Sequence, residues 1–138
     1  MLPVVTGDRV MGMRRLRGDR GDAVTVQHVI LFPVVLLMFF ALVQGGVYWH
    51  GRNMALAAAE TGVREGRVAG SAQVGVDAAQ DYLDQVANET FTDIQVSSAG
   101  STPDEVQVTV TATVPSLFPG LWDLEISQVA RGPVEQPR

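Results

Sequence analysis

The residue types that most often carry chemistry are few here, and their spacing brings no reactive set together. The chain has two histidines, His28 and His50, and no cysteine. Twenty-two residues separate the histidines, about 33 Å if the intervening chain is helical, so they cannot share a metal or a substrate within one chain. Asp77, Asp81 and Asp84 recur at helical spacing and could attract a cation weakly, but a solvated acidic face is the ordinary meaning of such a run. Without Cys there is neither a disulfide framework nor a thiolate metal site. Asn88-Glu89-Thr90 has the form of a glycosylation sequon, and Arg-Gly-Asp occurs at 17–19 and again at 20–22. A tripeptide of this kind arises readily by chance. No nucleophile, base and acid stand at a spacing that suggests a triad. The pattern points away from an enzyme, and no cofactor or metal is expected.

The residues with the strongest physical message are those that carry no charge. Residues 23–51 contain no Asp, Glu, Lys or Arg, and within 29–47 thirteen of nineteen residues are Leu, Ile, Val or Phe. A helix rises about 1.5 Å per residue, so roughly twenty apolar residues cross a hydrocarbon core of about 30 Å. Each large apolar residue favours insertion by about 0.3–0.6 kcal/mol near the bilayer centre, and together they outweigh Gln44 and Pro33. A soluble core helix of this length would show a polar face, and this stretch shows none. It reads as a single membrane span, with membrane lipid as its first partner.

Charge sets the expected orientation. Arg14, Arg15, Arg17 and Arg20 precede the span closely, whereas only Arg52 lies equally near its far end. The positive-inside rule puts residues 1–22 in the cytoplasm and the rest outside. Within that flank, Met11 or Met13 would be a natural start for a charged N-terminal region. Residues 52–138 carry twelve acids against five Arg and no Lys, a poor surface for nucleic acid, whose phosphates need Lys or Arg. The outer part has 87 residues, enough for one small domain held by packing alone.

Periodicity then divides the chain. The span occupies 23–51, with Tyr48, Trp49 and His50 where an outer aromatic belt belongs. Helix is expected to continue through the Ala-rich run from Asn53 to Glu60, since the next proline is Pro103. Gly62, Gly66 and Gly70 follow every fourth residue, each costing up to about 1 kcal/mol relative to Ala in a helix. They form either a small-residue stripe for close helix approach or a flexible joint. Val76, Ala79, Leu83 and Val86 predict an amphipathic helix from Ser71 to about Ala87, completing a helical region over 52–88. Residues 105–114 alternate Val or Ala with Gln or Thr, the pattern of a half-buried strand. Weaker strands are expected at 91–97 and 124–130, the first joined by a hairpin loop around Gly100 and Pro103. The sheet would fill 89–131, leaving 132–138 as a tail. The fold class is therefore α+β: a long N-terminal transmembrane helix extended into an amphipathic helix, packed on a small three-stranded antiparallel sheet.

The junction carries a resemblance. The order Arg-Gly-Asp-Arg-Gly21-Asp22, Gln27, Pro33, the apolar run, Gln44-Gly45, Tyr48-Trp49-His50-Gly51-Arg52-Asn53, then the Ala-rich segment with Thr61-Gly62-Val63-Arg64, resembles the TadE-like family. These are pilin-related membrane proteins of the tight-adherence (Flp-type) pilus and secretion machinery. The likeness covers about residues 14–70; beyond that it is architectural. It implies a pilin-like fold, a structural role and partners among pilin-like or pilus-assembly membrane subunits. In that family, as in type IV pilins, a prepilin peptidase can cut after a Gly that precedes the apolar helix. A Glu early in the helix then neutralises the new amine. Gly21, followed by Asp22, matches the place of the cut, and Gln27 stands where the Glu would be, judged by its distance from Pro33. The chain departs twice: Gln cannot neutralise an amine, and it would be sixth rather than fifth after the cut. It is then either processed at Gly21 or kept intact as a signal-anchored subunit. Gln27 is correspondingly either a remnant of the pilin role or an interfacial polar residue.

Ala41 and Gly45 form a small-x-x-x-small pair beside Gln44, which favours packing against a partner span, with an interhelical hydrogen bond worth about 0.6–2 kcal/mol. The expected function is that of a TadE-like pseudopilin, minor pilin or pilus-assembly subunit. A different class is a binding module without a filament role, either membrane-tethered or secreted through a signal peptide, for which Ala55-Leu56-Ala57 offers an A-x-A cleavage pattern. The apolar core far exceeds the 7–15 residues usual for such signals.

Overall fold

In a computed structural model of the protein, the described residues are 2–3, 19–87, 89–118, 120 and 122–136, with the backbone alone described for 19–24. The expectations for residues 4–18, including the arginine-dense flank, and for Asn88 lie outside the described residues. Five elements follow in order: α1 (Asp19–Ala69), α2 (Ala72–Val86), β1 (Asp93–Ser97), β2 (Glu105–Val114) and β3 (Leu124–Pro133). The fold is α+β, a long N-terminal apolar helix plus a second helix packed on a three-stranded antiparallel sheet.

The chain divides into two compact units, Met1–Phe39 and Phe40–Arg138. In the first, every side chain from residue 25 to 39 is exposed, and Pro33 sits inside the helix without ending it. Proline lacks one backbone donor, a loss that a long helix accommodates locally.

In the second unit the later part of α1 pairs with α2. Helix α1 stops at Gly70, whose φ of +62° only glycine adopts without strain. The amide of Gly70 donates to the Arg67 carbonyl at 3.3 Å and that of Ser71 to the Gly66 carbonyl at 3.0 Å, the paired bonds of a Schellman ending. Ser71 then caps α2, its hydroxyl accepting from the Val74 amide. Two residues thus reverse the chain. The hairpin closes tightly because Gly62 faces Gly75: a Cβ on Gly62 would lie 2.5 Å from the Gly75 carbonyl oxygen. Of the two readings of the glycine run, close approach holds for Gly62 and Gly66, whose partner is α2 of the same chain, whereas Gly70 forms the turn between the helices.

The sheet has the order β1-β2-β3, with β2 central. Val110 pairs with Val96 on one side and with Gln128 on the other. Along β2 burial alternates without a break, putting Val106, Val108, Val110, Ala112 and Val114 in the core. Against them pack Ala55, Ala58, Ala59 and Val63 of α1, Ala79 and Leu83 of α2, Phe91 and Ile126. The opposite face carries Gln107, Thr109, Thr111 and Thr113, half-buried, with Glu125, Ser127 and Arg131 exposed.

Two boundaries differ from the sequence expectation. Strand β1 begins at Asp93, because Phe91 turns into the core beside Gly51, Val114 and Ile126 instead of joining the ladder. Strand β3 runs on to Pro133, and the residues after it are tied down. Arg67 Nε donates to the Pro133 carbonyl at 2.6 Å, the Val134 amide to Asp104 at 2.8 Å, and the Glu135 amide to Arg67 at 3.3 Å. Arg67 also faces the Glu135 carboxylate at 3.6 Å.

Candidate functional site

The part of this molecule left open for a partner is a helix surface. By length and composition, the helix from Thr25 to Ala69 contains a stretch apolar enough to cross a membrane, and no residue of its most apolar window is buried. Phe32, Leu37, Met38, Phe39 and Leu42 are each exposed over more than half of their surface. In a water-soluble domain such residues would be buried; their exposure marks a surface meant for an apolar environment.

Helix α1 carries every residue that the sequence singles out for processing or helix packing. Gly21 and Asp22 lie in its first turns, the Asp22 side chain being outside the described residues. Gln27 and Pro33 follow on the exposed stretch. Ala41 and Gly45, one helical turn apart, are also exposed, and a Cβ on Gly45 would meet nothing within 4 Å. Space beside Gly45 is therefore open, and Ala41 is exposed on the same side of the helix.

Gln44 is different. Its Oε1 accepts a hydrogen bond from the Leu117 amide at 3.0 Å, joining α1 to the β2–β3 loop. Its Nε2 is buried and, among the described residues, without a partner. One turn earlier, the rings of Phe40 and Phe118 meet edge to face, with centroids 5.8 Å apart and planes at 73°. One end of Gln44 is thus already engaged within the chain. Sequence reasoning missed the loop side of this contact. The available signal was the uncharged run Pro-Ser-Leu-Phe-Pro-Gly-Leu-Trp at 115–122, which carries aromatic residues where a polar hairpin loop would be ordinary.

Among the described residues no group of three His, Cys, Asp or Glu side chains stands close enough to hold a metal ion. His50 lines an open, mostly apolar hollow with Val43, Gly46, Val47, Glu89, Thr90 and Pro115. Asp77, Asp81 and Asp84 all point to solvent from α2.

A long unburied apolar helix continued into a small helix-and-sheet domain defines a class, that of proteins whose fold is consistent with single-pass membrane anchoring. Comparison with protein families narrows the class: residues 23–64 match the model described as TadE-like protein, so this segment is a TadE-like family domain. The match runs from the start of the uncharged stretch to Arg64, just beyond the glycine that meets α2. It implies a protein related to pilus assembly. No curated protein and no solved structure matches the chain.

Proposed function

We propose that this protein is a TadE-like pseudopilin or minor pilin, or a pilus-assembly subunit, of a tight-adherence type secretion system, acting through the packing of membrane helices. It is a single-pass membrane protein with its N-terminus in the cytoplasm and its α+β domain outside. The observation that carries this reading is the run of fifteen exposed positions from residue 25 to 39, nearly all apolar. Such a helix is stable only in lipid or against other apolar helices, and both environments belong to a pilin-related subunit. Its lateral partners are other pilin-like or pilus-assembly membrane subunits, packed through the Ala41–Gly45 face, with Gln27 and Pro33 nearer the inner end.

A cleaved signal peptide fits the packing poorly. The A-x-A pattern at 55–57 lies inside α1, with Ala55 fully buried, and a cut there would strip Gly51 and Ala55 from the core. Processing by a prepilin peptidase between Gly21 and Asp22 would leave the packed domain intact. N-terminal sequencing of the mature chain reads the outcome directly: Asp22 at the terminus means pilin-like processing, and an uncut chain means a signal-anchored subunit.

The test of the packing role is Gly45→Ile. Nothing of the chain's own fold lies within 4 Å of the added Cβ, so folding should be unaffected. Recovery of neighbouring pilus-assembly membrane subunits with the tagged protein should fall several-fold. Undiminished recovery with Gly45→Ile would remove this face from the interface and with it the proposed mode of action.

A further inference from the structure

The β2–β3 loop is apolar where a hairpin loop is ordinarily polar, and it is fastened to the wrong part of the helix for a loop that lives in water. Residues 115–122 contain no charged side chain, and Asp123 follows immediately. Leu117 is 45% exposed, Phe118 43% and Trp122 66%, although all three are large and apolar. Leu117 and Phe118 are anchored on α1 at Gln44 and Phe40 respectively. Arg52 is the first charged residue of the helix beyond them, eight and twelve positions on, or about 12 and 18 Å along the axis. Tyr48 and Trp49, the natural markers of the outer interface, lie between. Phe118 therefore touches the helix about 13 Å to the membrane side of Trp49.

Irregular backbone at such depth survives only if its polar groups are satisfied by protein, because hydrocarbon offers no replacement for water. Two of the loop's amides meet that demand, and two of its residues have none to satisfy. Pro115 and Pro119 carry no amide hydrogen. The Leu117 amide donates to Gln44 Oε1 at 3.0 Å, and the Phe118 amide to Ser116 Oγ at 3.1 Å. Gln44, a polar residue in an apolar run, acquires a purpose by this account: it supplies from the helix the acceptor that water would otherwise supply.

We infer that Leu117, Phe118 and Trp122 of the β2–β3 loop form a second membrane contact, dipping into the outer leaflet beside the span. The outer domain is then held at two points and cannot rotate freely about a single tether. This rests on the reading of α1 as a membrane span, and the lipid bilayer is the occupant because the loop's exposed side chains continue the apolar surface of that helix. A second protein chain on the same patch is the competing occupant.

The absence of cysteine makes the test clean. Full-length chains carrying a single nitroxide at Leu117→Cys, at Leu42→Cys on the exposed span, or at Ser127→Cys on the outer sheet face are reconstituted in phosphatidylethanolamine–phosphatidylglycerol vesicles. Collision with oxygen, which favours lipid, is compared with collision with a water-soluble nickel chelate. The L117C label should resemble L42C, with an oxygen-to-nickel ratio several-fold above that of S127C. An L117C ratio equal to S127C, with L42C still lipid-like, overturns the inference while leaving the anchor intact. An L117C label shielded from both reagents means protein cover and also overturns it. An aqueous L42C removes the anchor itself and the loop contact with it. Should L117C fail to fold, Trp122 fluorescence in a Trp49→Phe chain gives the same answer. Quenching by acyl-brominated lipid supports the contact; quenching by aqueous iodide alone refutes it.

Discussion

Helix α1 follows two opposite rules along its length. From residue 25 to 39 its bulk is Val, Ile, Leu, Met and Phe, all exposed; from 51 to 66 its buried positions are Gly51, Ala55, Ala58, Ala59, Gly62, Val63 and Gly66. In the first stretch large side chains face outward. In the second, small ones face inward, letting the backbone approach β2 and α2. Backbone conformation is the same in both, so helicity carries no information about which rule applies. The size and polarity of the surrounding residues decide it. Large residues suit a solvent as apolar as themselves, whereas small residues suit contact with another piece of backbone.

This contrast can be broken by paired substitutions, read by denaturant unfolding of the full chain in detergent micelles. The largest effect is expected for Leu83→Ala, which removes a fully buried side chain between α2 and the sheet and should cost about 2–5 kcal/mol. Its counterpart Leu37→Ala, on the exposed stretch, should leave unfolding of the α+β domain unchanged. A comparable loss in both would mean that the two stretches do not obey different rules.

Next comes Gly62→Val, where the new Cβ would meet the Gly75 carbonyl at 2.5 Å and the Ala79 methyl at 3.0 Å. Overpacking of this kind should cost about 1–3 kcal/mol, against no change for Gly45→Val, whose surroundings are open. A stable Gly62→Val would show that the hairpin is looser than its glycine contact suggests. Ser71→Ala should cost about 0.5–1 kcal/mol through loss of the α2 cap, and the amide of Val74 should exchange faster with solvent. The smallest effect is expected from Arg67→Met. The ion pair with Glu135 is exposed and worth little, so global stability should fall by less than about 1 kcal/mol. Hydrogen exchange should quicken locally at Val134 and Glu135, the residues that follow β3.

Much of this architecture was legible in the chain. The apolar stretch, the alternation along β2 and the helix beginning at Ser71 are local patterns, and local patterns survive into the structure because each is set by the period of its own element. The α+β class followed from them. Other features depended on residues far apart in sequence. Gly62 could be read as a stripe or a joint because its partner, Gly75, lies beyond a turn whose geometry no single residue announces. Phe91 was expected in a strand and instead fills the space beside Gly51, a contact across forty residues. Gln44 suggested a bond to another helix, while its Oε1 meets Leu117 seventy-three residues away.

The sequence by itself determined what this protein could be made of: an uncharged apolar helix and an acidic helix-and-sheet domain. Those properties follow from composition and period, which need no partner to be read. Only the tertiary structure decided how close the two helices come, which glycine serves which contact, and where the β2–β3 loop rests. Each of those depends on atoms brought together by folding, and short-range complementarity between distant segments is invisible until they meet.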